Sequence, residues 1–353
     1  MATITSGDLH TLVREVLEAA GADRRNADRV AEALVSSNLH GVDSHGVYHV
    51  AEYVEGIQKG DIAPTARPEI LNGTTTTALI TGNWTFGHVV AKYGMELAIQ
   101  KARAQGMAVV CLVRLGHIGR LGEYSEIAAS QDMIGMVFAS GFGVTMPQSV
   151  PYGGREKLMS TNPIAMGFPA GEETPVVFDF ATTVAAGAKV IRARKRGEQV
   201  PPGWLVDGEG RPTTDPSNYP DEGGLLPFGG HKGYALMLAD ELLGRVLAGA
   251  DAYTEPDRHG SGMRHQGVTM IVLRADLFQP LASFKQTADE LTCQVTAVPP
   301  APGFEEVLTP GMLEERAQQR RLRDGIPVPD DVWKSLSDVA SSLNVTMPRP
   351  RDA

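Results

Sequence analysis

The chain has 353 residues, and its 42 aspartates and glutamates outnumber its 32 lysines and arginines, giving a net charge of −10 at pH 7. An acidic surface argues against nucleic acid or an anionic membrane as the main partner, because phosphate groups bind basic surfaces. The length predicts two domains. The two cysteines, Cys111 and Cys293, form no disulfide framework and indicate a cytoplasmic protein. No apolar run reaches the roughly 18 residues that would cross a bilayer.

Apolar side chains at helical spacing predict three helices in the first 60 residues. Ser6 is expected to cap the first helix, and the second is expected over residues 26–39. Asp43 is placed to cap the third helix, which would hold His45 in its first turn and end at Gly60.

The rest of the chain alternates between strand and helix patterns. Apolar, β-branched runs predict strands over residues 77–80, 107–113, 134–139, 175–180 and 267–273. Helical spacing predicts helices over residues 87–105, 119–130, 232–247, 312–323 and 332–343. The predicted fold class is therefore α/β (α+β) with a largely buried sheet. Helices at both chain ends suggest that the two ends pack together as one helical unit.

The segment Asp43-Ser44-His45-Gly46 is one candidate for chemistry. A histidine in the first turn of a helix lies in a positive field that lowers its pKa. A histidine tuned near neutrality suits proton transfer. By local chemistry alone, however, a structural helix cap is slightly favoured over a catalytic role.

A second candidate is the stretch after the 107–113 strand, where His117 and Arg120 lie among glycines. Substrate carboxylates often meet arginine side chains and helix N-termini at such places. A glycine-rich connection with a surface arginine is an equally good interpretation of this stretch taken alone.

Two later segments suit a cofactor. Asp179 stands near the end of a predicted strand and is followed by small hydroxyl residues, so that it can receive a ribose or an amide. His231 and Lys232 begin a predicted helix after two glycines, a place that suits an anionic cofactor group. A strand terminus and an ordinary start of a helix explain the same residues without a ligand.

Five motifs occur in order along the chain, and together they are more specific than any of them alone. They are Gly41-Val42-Asp43-Ser44-His45-Gly46-Val47, Gly116-His117-Ile118-Gly119-Arg120-Leu121-Gly122, Thr161-Asn162-Pro163-Ile164-Ala165, Asp179-Phe180-Ala181-Thr182 and Gly230-His231-Lys232-Gly233-Tyr234. This set resembles the malate/L-lactate/sulfolactate dehydrogenase family, which is distinct from the Rossmann-fold lactate and malate dehydrogenases. The resemblance covers nearly the whole chain.

The resemblance implies a homodimer whose subunit has a non-Rossmann, mixed-sheet cofactor domain over residues 74–308. Residues 1–73 and 309–353 would form a helical domain from both chain ends. It also implies an oxidoreductase that transfers a hydride between a nicotinamide cofactor, NAD or NADP, and a small 2-hydroxy or 2-oxo acid. Known members act on malate, lactate, sulfolactate, ureidoglycolate, diketogulonate or cyclic imino acids.

The resemblance also implies roles for individual residues. His45 would be the proton donor with Ser44 beside it, and His117 is the other candidate for the proton. The expected substrate-binding residues are His49, Tyr53 and Arg120. The expected cofactor-binding residues are Ser140, Asp179, Phe180, Ala181, Thr182, Thr183, His231, Lys232 and Gly311.

The chain departs from the family pattern at two places. Many members have an arginine four residues after the motif histidine, where this chain has His49. Carboxylate binding would then fall to Arg120, or the substrate differs. Members also often have glutamate after the late Pro-Gly turn, whereas Gly311 is followed here by Met312. A basic run over residues 192–196 suits a 2′-phosphate, but such a run is more often a solvated helix face, which favours NAD.

Two other functions compete with this interpretation. His40, His45 and His49 lie close in sequence and suggest a metal-dependent lyase or hydrolase. No glutamate stands beside the first histidine and no further ligand is identified, so that no metal site is predicted. The remaining alternative is a catalytically silent binding protein with the same fold.

Overall fold

The computed structural model describes residues 1–255 and 262–351, and within them it has ten α-helices and twelve β-strands. The helices are α1 (Ser6–Ala19), α2 (Arg24–Leu39), α3 (Val50–Lys59), α4 (Gly87–Gln105), α5 (Gly122–Ala129), α6 (Gly187–Arg196), α7 (His231–Glu241), α8 (Leu281–Thr296), α9 (Met312–Asp324) and α10 (Asp330–Ser342). The strands are β1 (Ala2–Ile4), β2 (Glu69–Gly73), β3 (Thr77–Thr81), β4 (Met107–Val113), β5 (Met133–Ser140), β6 (Pro163–Phe168), β7 (Val176–Ala181), β8 (Leu205–Val206), β9 (Pro212–Thr213), β10 (Gly224–Leu225), β11 (Gly267–Arg274) and β12 (Ile326–Val328).

A seven-stranded mixed sheet forms the centre of the molecule, in the order β2-β3-β4-β11-β5-β6-β7. Only the β3–β4 pair of this sheet is parallel, and its other neighbouring strands are antiparallel. A Rossmann sheet is mostly parallel with helices on both faces. The predicted α/β (α+β), non-Rossmann fold class is therefore confirmed.

Strand β4 shows how the sheet packs against helices to form its hydrophobic core. Its side chains alternate in burial, with Ala108, Val110 and Leu112 fully buried against helix α4. The buried face of this helix, which includes Met95 and Ala98, packs against these three side chains. This packing places the loop after β4, which carries His117, at the edge of the core.

The two chain ends share a second core. Strand β1 pairs antiparallel with β12, with Ala2 opposite Val328, and α1, α2, α3 and α10 pack around this pair. Strand β2 lies before the predicted boundary at residue 73, and it pairs with β3 in the large sheet. The division into two domains stays a proposal.

Local contacts correct the predicted starts of the first helices. Thr5 rather than Ser6 caps α1, because its hydroxyl accepts the Asp8 N–H at 3.0 Å. Asp23 caps α2 by accepting two backbone N–H groups. The prediction that Asp43 caps an α-helix was wrong, since two short 3₁₀ turns precede α3.

Some predicted elements end at other residues than expected, and some observed elements were not predicted. The helix expected over residues 232–247 is α-helical only to Glu241 and continues as a π turn over Leu242–Val246. The sequence analysis did not anticipate helices α6 and α8, strands β2 and β6, or the small three-stranded sheet β10-β8-β9.

Candidate active site

The turn that carries His45 is fixed by distant side chains. Arg321 of α9 donates two hydrogen bonds to the Asp43 carboxylate, at 2.6 and 3.0 Å. The buried Asn38 side chain donates to the same carboxylate at 2.7 Å and accepts the Val47 N–H at 2.9 Å. These bonds satisfy polar groups of the turn that have no hydrogen-bond partner within an α-helix. Residues from both ends of the chain therefore fix the position of His45. Sequence reasoning assigned no role at this site to Asn38 or Arg321.

Four of the predicted residues meet as a ring cluster. The His45 and His117 rings stack with centroids 5.6 Å apart, and the His49 ring lies 4.6 Å from that of His117. The Tyr53 hydroxyl is 2.7 Å from Nδ1 of His117. His88, which the sequence analysis did not single out, stands edge-on to His117 at 5.9 Å. Its place in the first turn of α4 gives no local signal for this role.

The environment of His45 keeps its ring neutral. Burial, with smaller contributions from the positive charges of His49 and Arg120, lowers the pKa of His45 to about 4. Lowering of this pKa was predicted, but burial replaces the helix field as its main cause. Nδ1 lies 3.0 Å from the Ser44 hydroxyl. Within the described residues Nε2 has no hydrogen-bond partner.

His117 is neutral for related reasons. Burial lowers its pKa well below the ordinary histidine value, and nearby histidines add to the effect. Burial raises the pKa of Tyr53 far above its usual range, so that its hydroxyl keeps the proton. In the described part of the chain, that hydroxyl has His117 Nδ1 as its one hydrogen-bond partner. Donation from Tyr53 to Nδ1 leaves the N–H of His117 on Nε2.

Arg120 acts on His45 through its charge, and Asp179 lies near Arg120 at the start of helix α5. The terminal nitrogens of the buried Arg120 guanidinium donate to both carboxylate oxygens of Glu126, at 2.7 and 2.6 Å. Asp179 accepts the Gly122 N–H at 2.8 Å. The protein surroundings raise the pKa of Asp179 to about 6 despite that bond and the Arg120 charge, although part of its side chain reaches solvent. A carboxylate with a raised pKa is a candidate functional group.

Three predicted cofactor residues have hydroxyls that are engaged inside the protein. The buried Ser140 hydroxyl donates to the Asp240 carbonyl at 3.1 Å and accepts the Arg245 N–H at 2.9 Å, so that it bridges the π turn. The buried Thr182 and Thr183 hydroxyls each donate to a backbone carbonyl at 2.9 Å. The hydroxyl hydrogens of these residues are therefore already used within the protein, and their role toward a cofactor stays a prediction.

Other predicted cofactor residues are accessible. Phe180 is exposed, with its ring edge-to-face to that of Phe228, and Ala181 is half-buried in the same strand. His231 and Lys232 are exposed in the first turn of α7, which lacks a side-chain cap. Free N–H groups and a lysine at a helix N-terminus fit the pyrophosphate of a dinucleotide.

Gly311 lies against strand β7 rather than beside the histidines. Its φ is +102°, and the carbonyl of the preceding Pro310 accepts the Val177 N–H at 3.2 Å. A Cβ at Gly311 would stand 3.1 Å from the Pro175 carbonyl oxygen, a tight contact that adds to the strain of the positive φ. The late turn thus borders the strand that carries Asp179 and Phe180.

The structure does not favour the metal-dependent alternative. His40 turns away from the ring cluster, because its Nδ1 lies 2.7 Å from the Ser36 carbonyl and its Nε2 faces Glu126 at 3.9 Å. In residues 1–255 and 262–351, no three His, Cys, Asp or Glu side chains converge as metal ligands. No helix in these ranges is long and apolar enough to cross a membrane.

Comparison with known proteins identifies the family. A family model described as malate/L-lactate dehydrogenase matches residues 4–337. The chain belongs to this family. The predicted family and the predicted dehydrogenase class are thereby confirmed.

Individual relatives match along nearly their whole length. The chain is 35% identical to an L-sulfolactate dehydrogenase of Methanocaldococcus jannaschii, over 95% of this chain and 96% of the relative. It is 35% identical to an NAD(+) ureidoglycolate dehydrogenase of Escherichia coli K12, over 94% of each chain. The crystal structure of a malate dehydrogenase from Entamoeba histolytica superposes with a TM-score of 0.90, at 29% identity, over 98% of this chain and 99% of that one.

Proposed function

We propose that this chain is a cytoplasmic nicotinamide-dependent dehydrogenase that interconverts a small 2-hydroxy acid and the corresponding 2-oxo acid. The observation that carries the proposal is the stacked pair of neutral rings, His45 and His117, 5.6 Å apart and near the Arg120 charge. A nicotinamide cofactor supplies or accepts the hydride at the substrate C2. The hydroxy acids that name the relatives support this substrate class.

The two histidines have complementary roles in this proposal. His45, whose Nε2 has no partner among the described residues, takes the hydroxyl proton during oxidation and returns it during reduction. His117 donates its Nε2–H to the same substrate oxygen, since a neutral imidazole can polarise a carbonyl group. Ser44 orients His45 through Nδ1, as Tyr53 orients His117. The converse assignment, with His117 carrying the proton, remains the alternative.

The substrate carboxylate is expected near His49, Tyr53 and Arg120. Arg120 donates only two of its five N–H groups to Glu126, but its side chain is buried, so that it is expected to act mainly through its charge. A poorly solvated charge still attracts an anion. His49 stands where many family members have arginine, so its contribution to carboxylate binding depends on whether its ring is charged.

We propose NAD as the cofactor, with NADP as the second choice. Lys232 and the uncapped N-terminus of α7 would hold the pyrophosphate, while Asp179 and Phe180 would border the rest of the dinucleotide. The basic side chains of α6 are exposed on a solvated helix, which supports NAD over a cofactor with a 2′-phosphate.

We propose a homodimer because helix α7 and its π turn leave a large apolar face uncovered. The exposed side chains are Leu236, Leu242, Val246 and Leu247, each between 43 and 57% accessible. Contiguous apolar surface of this kind on a globular protein usually marks an interface, and a second copy is its commonest partner.

The test is oxidation of reduced cofactor, followed at 340 nm, with a panel of 2-oxo acids and with NADH and NADPH separately. Turnover of at least one acid is expected, and no turnover of any would refute the proposal. His45→Ala should lower kcat on the order of 10²–10⁴-fold with cofactor affinity nearly intact. His40→Ala is the matched control, since His40 lies outside the ring cluster. Wild-type kcat in His45→Ala would exclude His45 as the proton carrier.

A further inference from the structure

The hydrogen bonds of His49 define its protonation state. Its Nδ1 lies 2.7 Å from a carboxylate oxygen of Glu52, and its Nε2 lies 2.9 Å from the Ser44 carbonyl oxygen. Both partners only accept hydrogen bonds. A neutral imidazole has one N–H and one lone pair, and would therefore set a lone pair against one of these oxygens. Only the ring with both nitrogens protonated satisfies both contacts.

The surroundings of His49 favour a charged ring. The Tyr53 ring is stacked on it at 5.8 Å, and the Tyr48 ring meets it edge-on at 5.3 Å. Aromatic faces attract cations. The His49 side chain is 16% exposed, whereas its partner Glu52 is 60% exposed. Water therefore screens the carboxylate more than the ring, and a net positive field reaches into the cluster.

The titratable groups that face His49 come from four parts of the chain. Glu52 and Tyr53 lie on its own helix, His45 on the preceding turn, His117 in the loop after β4, and His88 on α4. Each of the three histidines has a lowered pKa, for which burial is the main cause. The charge of His49 contributes at each of them, after that of Arg29 in the case of His88.

Arg120 is the other cation next to this cluster, and it is less available than His49. Its side chain is 3% exposed and its terminal nitrogens are bound by Glu126. The charge of His49 consequently faces the rings that would meet the substrate, while most of the Arg120 charge is compensated by its ion pair.

We propose that His49 is a doubly protonated, specificity-determining residue whose charge attracts the substrate carboxylate. Both of its N–H groups stay bound to the protein, so that it acts through its charge and not through a hydrogen bond to substrate. This inference rests on the proposed function for the identity of the substrate, but the protonation state does not.

The protonation state can be measured without any substrate. Nitrogen NMR of the apo protein labelled with ¹⁵N-histidine gives the state of each ring nitrogen, and the signal lost in His49→Gln assigns the residue. Both nitrogens of His49 should carry protons at pH 6, while His45 and His117 should each carry one. A single protonated nitrogen on His49 at pH 6 would overturn the inference, whatever the enzyme's substrate.

The role in binding is tested by KM at pH 6 for the 2-oxo acid that the panel identifies. His49→Gln, which has no charge, should raise KM about tenfold relative to the wild type, and the loss should fall mainly on KM rather than on kcat. His49→Arg, whose charge is permanent, should keep KM near the wild-type value.

A control variant separates the charge at the site from a general loss of a histidine. His10→Gln changes another histidine beside a carboxylate, 3.6 Å from Asp28 and far along the chain from the site, and should leave KM unaltered. A wild-type KM in His49→Gln at pH 6, or a KM in His49→Arg as high as that of His49→Gln, would refute the binding role. Absence of turnover by the wild type would refute the proposed function and leave the NMR result standing.

Discussion

Replacing Gly46 by alanine should damage the turn that carries His45 through a single contact. A Cβ at this position would lie 2.1 Å from Oδ1 of Asn38, whereas ordinary contacts of a Cβ begin at 3.4 Å. The φ of Gly46 is −93°, outside the left-handed region, so that the backbone itself accepts an alanine. The Asn38 side chain or the turn must therefore move by about 1 Å, and Asn38 is 3% exposed.

The magnitude follows from the bonds that this movement breaks. Asn38 donates to Asp43 at 2.7 Å and accepts the buried Val47 N–H at 2.9 Å. A buried polar group left without its partner costs about 1–3 kcal/mol, so that the free energy of unfolding should fall by about 2–5 kcal/mol. A misplacement of about 1 Å at a reacting group can cost about 10²-fold in rate, and His45 is the adjacent residue.

The assay is kcat at 340 nm together with urea denaturation. Gly7→Ala is the control, because a Cβ there meets no atom within 4 Å, and it should be neutral. In an Asn38→Ala background the clash is absent, so that Gly46→Ala should add little further loss. Wild-type stability and kcat in Gly46→Ala, or full additivity in the double variant, would refute the steric argument.

Three further predictions concern the ring cluster and its support. Tyr53→Phe removes the donor that fixes the tautomer of His117, and kcat should fall about 10–100-fold with unchanged cofactor affinity by fluorescence titration; an unchanged kcat would contradict the tautomer assignment. Glu123→Gln leaves the buried Arg29 guanidinium without the carboxylate 2.6 Å away, and urea denaturation should show a loss of about 3–5 kcal/mol, whereas a loss near zero would mean that the pair is solvated. His88, His45 and His117 have lower pKa values in the folded protein than in the unfolded chain, where a histidine pKa is near 6.5. Below that pH the unfolded chain binds more protons than the folded protein, so that the free energy of unfolding declines as the pH falls. The Tm should therefore be lower at pH 5 than at pH 7.5, and the difference should shrink in His88→Leu; an equal difference in that variant would show that the His88 ring is not one of the groups responsible.

Much of the fold could be read from local patterns. The predicted bounds of helix α4 and strand β4 agree with the structure to the residue, because alternating or helical burial repeats at a fixed period within one element. Strand β2 was missed because all five of its residues are exposed at the sheet edge, where burial leaves no pattern.

The residues of the candidate site could be predicted from the sequence only in part. The ordered motifs contain His45 and His117, the family resemblance added His49 and Tyr53, and the structure shows that these four rings meet. The resemblance also implied Ser140, whose hydroxyl bonds to Asp240 and Arg245 inside the protein. A resemblance indicates the type of a residue but not the direction of its side chain.

Sequence by itself determined the family, the mixed α/β architecture and the residue types available for proton transfer, since these follow from periodicity and from ordered motifs. Tertiary structure alone decided which groups control those residues. Arg321 reaches Asp43 across 278 positions, and His88 approaches His117 from another helix. Burial and neighbouring charges set the state of a titratable ring, and both arise only when distant segments pack together.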